Sequence, residues 1–107
     1  MPVNLYDLPD PPPDDEEFTD LIPDRGVKIE RIVSRGRAAP AGGWYDQDRD
    51  EWVVLVQGEA VLEYEDGETL RLGAGDHVLI PAHRRHRVNY TSRTPPCIWV
   101  AVFGELT

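Results

Sequence analysis

Two separated stretches hold the side chains best suited to chemistry. The first, Trp44 to Gly58, sets Tyr45, Gln47 and Glu51 against the most apolar run of the chain, Trp52-Val-Val-Leu-Val56. The second, Gly75 to Asn89, carries His77, His83 and His86 among Arg84, Arg85 and Arg87. Groups of these types hold metal ions or polar substrates, and Glu51 and His86 can act jointly if the two stretches lie side by side in a barrel. Arginine's planar fork binds carboxylates bidentately, which makes Arg84 and Arg85 candidate substrate-binding residues for an anionic molecule. The competing reading is a solvated loop pairing with Asp46, Asp48 or Asp50. Arg87 follows His86 directly and should point to the opposite face. Cys97 opens an apolar run with no assignable base beside it, so it reads as a buried structural thiol and not a nucleophile. The sequence contains no P-loop, no GxGxxG, no Ser-His-Asp arrangement and no zinc-ribbon cysteines.

The elements that must position these groups are short. The 107 residues amount to one domain, and its 10 prolines and 9 glycines punctuate without a period, as in chains of many short strands. Strands are expected at Val27–Ser34, Trp44–Gln47, Glu51–Gln57, Ala60–Glu65, Glu68–Leu72, His77–Ile80, Arg87–Thr91 and Cys97–Phe103. In the third of these, Glu51, Val53, Leu55 and Gln57 share one face and Trp52, Val54 and Val56 the other; both are substantially apolar, as where protein covers each face. Asp48-Arg49-Asp50 reads as a turn, and Asp66-Gly67 as a hairpin. Eight such strands with frequent turns and no βαβ spacing predict an all-β sandwich or barrel.

The net charge of -9 is unevenly spread. Residues 1–24 hold eight acids and no base, while the remaining 12 acids face 11 bases. The arm is thus acidic, the body is close to neutral, and no basic face suggests nucleic-acid binding. Five prolines among residues 1–13 predict an extended arm, along which Val3, Leu5, Tyr6 and Leu8 can lie against the barrel. Phe18, Leu21 and Ile22 at i, i+3, i+4, preceded by acids, predict a short helix over 14–22. The expected division is an arm with its helix at 1–24 and a barrel at 25–107. No apolar run reaches the roughly 20 residues of a membrane span. The start lacks signal-peptide features and a single cysteine excludes an internal disulfide, which together suggest the cytoplasm.

The two stretches resemble the two motifs of the cupin superfamily. Glu51 and Gly58 have the E-x6-G spacing of the first motif G-x5-H-x-H-x3/4-E-x6-G, with Tyr45 and Gln47 standing where the two histidines belong. Gly75, Pro81 and His86 match the second, G-x5-P-x-G-x2-H-x3-N; His83 replaces its glycine, and Asn89 falls one residue short of its asparagine. The resemblance covers roughly residues 27–103. The segments Trp-Tyr-Asp-Gln…Glu-Trp-Val and Pro-Ala-His-Arg-Arg-His-Arg are similar to those of a small, functionally uncharacterised subset of cupins. What this implies is a double-stranded β-helix, a jelly-roll barrel that is often dimeric, with a site inside it. In the family register Tyr45, Gln47, Glu51 and His86 all point inward.

That register implies Gln47, Glu51 and His86 as ligands of a divalent metal (Mn, Fe, Ni or Zn). A neutral phenol such as Tyr45, with a pKa near 10, is a poor ligand but suits substrate hydrogen bonding or proton transfer, making it the candidate catalytic group. The alternative is a metal-free site in which Glu51 and His86 pair and Gln47 and Tyr45 complete the network, since burying either charged group alone is costly. His83 can cap a turn at the barrel mouth or reach back as a ligand; His77 reads as a strand-face residue, and Trp44, Trp52 and Trp99 as core or interface filler. Two functions remain open: a metal-dependent enzyme on a small polar or carboxylated molecule, and a metal-free ligand-binding or sensory protein, in either case a homodimer. A third possibility is that the acidic arm docks on a partner.

Overall fold

A computed structural model describes residues 2–8, 16–36 and 43–107. These residues form eight strands: β1 Glu16–Asp20, β2 Lys28–Ser34, β3 Asp50–Gln57, β4 Ala60–Tyr64, β5 Thr69–Leu72, β6 His77–Ile80, β7 His86–Thr91 and β8 Cys97–Gly104. A five-stranded sheet has the order β1-β2-β8-β3-β6 and a three-stranded sheet the order β5-β4-β7. All named pairings are antiparallel. Period-two side chains from both sheets meet between them, with Leu55 and Ala101 fully buried and Val53, Leu62, Tyr64, Ile80 and Trp99 nearly so. Among the described residues there is no helix long and apolar enough to cross a membrane.

Three local expectations are corrected. The segment 16–20 is not helical: β1 pairs with β2 from Glu16↔Ser34 to Asp20↔Glu30. Its apolar spacing fits one helical face, but Leu21 and Ile22 remain exposed, so that face has nothing to bury against. Pairing instead satisfies the otherwise open backbone edge of β2. Residues 14 and 15 of the expected helix, and residues 9–13 of the proline-rich arm, lie outside the described residues. Trp44–Gln47 is not a strand; one isolated bridge, Tyr45↔His86, holds it. Asp50, expected in the turn, begins β3, where it pairs with Gly104.

The other signals match closely. Asp66-Gly67 makes the β4–β5 turn, with Gly67 at φ 95° and its N–H donating to the Tyr64 carbonyl at 2.9 Å. Gly58, the motif glycine after β3, has φ 97°, and a Cβ there would fall 2.8 Å from Ser92 Oγ and 2.9 Å from Cys97 Sγ. Both conformation and crowding therefore demand glycine. Cys97 is buried, and its thiol donates to the Glu59 carbonyl at 3.1 Å. At the N-terminus, Arg31 Nη1 donates to the carbonyls of Leu5 (3.2 Å) and Asp7 (2.9 Å), which lays residues 5–7 along the outer face of β2.

Candidate functional site

β3 and the start of β7 bring the two motif stretches together. Ile80 of β6 pairs with Glu51, and the Tyr45↔His86 bridge closes the barrel on the other side, through hydrogen bonds of 2.8 and 3.2 Å. Glu51 and His86 are almost fully buried, and His86 Nε2 stands 3.5 Å from Glu51 Oε1. Gln47 Nε2 donates to the same carboxylate oxygen at 2.9 Å. These three side chains line a cavity of about 460 Å³ between the sheets.

The tautomer of His86 is constrained by its other nitrogen. Nδ1 lies 2.8 Å from the Arg84 carbonyl, which can only accept, so Nδ1 carries a hydrogen. In the neutral imidazole, Nε2 then presents a lone pair toward Glu51. Two acceptors 3.5 Å apart call for one positive hydrogen or cation between them. A protonated His86 supplies that hydrogen itself, and beside a neutral His86 a ligand donor can supply it.

Tyr45 lines the cavity but turns to a different acid. Its hydroxyl donates to Glu16 Oε1 at 3.1 Å, and its ring tilts against His86 with centroids 5.7 Å apart. Burial, reinforced by the charge of Glu16, pushes the phenol well above its usual range, so it serves as a hydrogen-bonding group and not as a phenolate. Arg84 and Arg85 are not brought to the cavity. Arg84 reaches Asp66 at 3.3 Å and Glu68 at 3.4 Å, and its guanidinium lies over the Tyr64 ring at 3.9 Å. Arg85 bridges Asp46 at 3.3 Å and Glu65 at 3.0 Å on the surface. Arg87 pairs with Glu63 at 2.8 Å and covers Trp44.

His83 also stays outside the cavity, its Nδ1 bound to Asp46 at 2.7 Å and its backbone N–H capping Gln47 O. His77 is on the outer sheet face, where its Nδ1 accepts from Trp52 Nε1 at 3.2 Å.

Besides Asp48 and Arg49 at the rim, three charged wall residues on β1 and β2 were not singled out in the sequence. Lys28 and Glu30 of β2 point inward, 3.3 Å apart, and Glu16 of β1 joins them. Glu30 is buried, and that burial pushes its carboxyl upward against the opposing pull of Lys28. The signal was present as alternation: Lys28, Glu30, Ile32 and Ser34 share one face. Ile29, Arg31 and Val33 on the other face are no more polar, so periodicity could not say which looked inward.

The donor set fits a divalent ion only in part. Two ligands about 2.1 Å from one ion at a tetrahedral angle stand about 3.4 Å apart, close to the Glu51–His86 separation. Yet no group of three or more His, Cys, Asp or Glu side chains suited to an ion converges among the described residues. Gln47 presents its amide N–H to Glu51 and would have to turn its carbonyl inward to ligate.

Comparison with known proteins agrees with this architecture. A protein proposed to be a mannose-6-phosphate isomerase, from Ralstonia eutropha JMP134, is 42% identical over 99% of both chains, with a TM-score of 0.87. The uncharacterized protein YdbB of Bacillus subtilis (strain 168) is 37% identical over 62 residues; the match spans 54% of this chain and only 55% of YdbB. A sugar phosphate isomerase of the cupin superfamily from Silicibacter pomeroyi DSS-3 shares the fold at 19% identity and a TM-score of 0.65, covering 85% of this chain and 60% of that one. The family model for the cupin domain matches residues 36–103, and with the barrel in place the chain belongs to the cupin family.

Proposed function

We propose that this cupin binds a small polar molecule inside its barrel, against Gln47, Glu51 and His86, through a side-chain network that needs no resident metal. One observation carries the reading: Glu51 already accepts from Gln47 at 2.9 Å and faces His86 Nε2 at 3.5 Å, so a single ligand donor completes the cluster. Tyr45 and Glu16 form a second polar station on the same wall, where the phenol oxygen, its hydrogen given to Glu16, can accept from a ligand. Arg84 and Arg85 are held by surface acids, outside the lining of this cavity.

A metal-dependent enzyme is the second reading, favoured by the spacing of Glu51 and His86 and by the Nδ1 bond that aims His86 Nε2 inward. There Gln47, Glu51 and His86 would hold the ion, which would polarise a substrate oxygen. The name of the Ralstonia relative supplies a reaction class for that reading, isomerisation of a sugar phosphate. Elemental analysis of protein purified without a histidine tag separates the two. The first reading expects trace metal and ligand-induced thermal stabilisation in EDTA. Near-stoichiometric Mn, Fe, Ni or Zn, lost on changing Glu51 and His86 to alanine, establishes the second.

We also propose a homodimer. On the outer face of the five-stranded sheet, Trp52, Val54, Val100 and Val102 are only partly buried and Leu79 is 41% exposed. Such a surface supports self-association.

A further inference from the structure

The charge pattern of the cavity wall narrows what the cavity admits. Among the described residues, each cation beside the cavity already holds an acid. Lys28 lies 3.3 Å from Glu30, and Arg49 grips Asp24 through two bonds of 3.1 and 3.0 Å. Three acids face inward, Glu16, Glu30 and Glu51, and the exposed Asp48 stands at the rim. An entering anion would meet those three carboxylates and would have to strip Lys28 from Glu30 to find a counter-charge.

A hydroxyl meets no such obstacle, because it both donates and accepts. It can donate into the gap between His86 Nε2 and Glu51 Oε1 while the Gln47 amide or Lys28 donates to it. Between these polar stations the wall is apolar, with Ile32, Val53 and Trp99 facing the cavity. Donors and acceptors separated by aliphatic and aromatic surface match the alternating hydroxyls and C–H groups of a polyol. We infer that the cavity takes a small, uncharged, polyhydroxylated molecule, with one hydroxyl seated between Glu51 and His86. The inference rests on the proposal that the cavity is the ligand site, and it sets the ligand apart from the phosphorylated sugar in the Ralstonia relative's name.

Calorimetric titration of the full chain in EDTA tests this with mannose, mannitol and xylitol, set beside mannose 6-phosphate and gluconate. At least one uncharged member should bind, with the phosphate ester and the acid weaker by about tenfold or more. Glu30→Gln removes the partner of Lys28 and should narrow that gap by strengthening the two anions. Equal or tighter binding of either anion, lost in Glu51→Gln, overturns the inference and leaves the site standing. Binding unchanged by both Glu51→Gln and the cavity-filling Val53→Phe overturns the site itself. Failure of every uncharged member to bind overturns the inference.

Discussion

A double-mutant cycle on Glu51 and His86 probes the network as a unit. Both side chains are almost fully buried, and their nearest atoms are 3.5 Å apart. Glu51→Leu leaves Gln47 and His86 facing an apolar surface; His86→Phe leaves Glu51 with the Gln47 amide alone. Orphaning a buried polar group costs about 1–3 kcal/mol. The open cavity beside the pair keeps the cost below the roughly 3–5 kcal/mol for a partner lost from a dry ion pair. In the double variant most of the second penalty disappears, because no charge remains to be compensated. The expected coupling is therefore about 1–2 kcal/mol, read from urea unfolding at pH 7 in EDTA. Additive effects, with coupling below about 0.5 kcal/mol, would refute the claim that the two groups complete each other. Coupling that emerges only when Mn or Zn is supplied would show that an ion, and not the side chains, joins them.

Other consequences follow from the same geometry. Asp50 accepts from the N–H groups of Ala82, Leu106 and Thr107 and from the Thr107 hydroxyl, which hold its carboxyl below the ordinary range. Its contribution is present above the unfolded value of 3.8 and is lost as pH falls through the lower folded value, so Asp50→Asn should lower stability at pH 7 and flatten the acid limb of a urea-midpoint profile. Glu30 has the opposite sign: its carboxyl is raised, so the folded state holds the proton longer and stability falls as pH rises from 4.5 through the folded value. Glu30→Gln should remove that decline; an unchanged profile would mean that Lys28 fully offsets burial. If the outer sheet face forms the homodimer, Leu79→Glu should yield a monomer in sedimentation velocity with an unaltered circular dichroism spectrum.

The barrel was legible because its signals are local. The Asp66-Gly67 hairpin and the alternation of β3 are each dictated by a few adjacent residues. The error at 16–20 arose because helix and strand patterns coincide over five residues, and the deciding term was non-local: β2 offered an open edge. The site was half legible. Spacing carried Gln47, Glu51 and His86 to one cavity, but nothing in the sequence tells whether an arginine beside His86 faces that cavity or a surface acid. Lys28 and Glu30 were hidden for the converse reason, since a charged pair on a strand reads as solvated until the opposite sheet is known to cover it. Tyr45 reached the cavity as expected, yet its hydroxyl is directed by Glu16, a contact across 29 positions that no motif encodes.

The most direct test of a metal-free site is anomalous diffraction from crystals of untagged protein, inspected between His86 Nε2 and Glu51 Oε1. Light-atom density is expected there, a water or a ligand hydroxyl within hydrogen-bond distance of both atoms, with no anomalous signal. An anomalous peak about 2.1 Å from each would contradict it and make the Glu51–His86 pair a metal site.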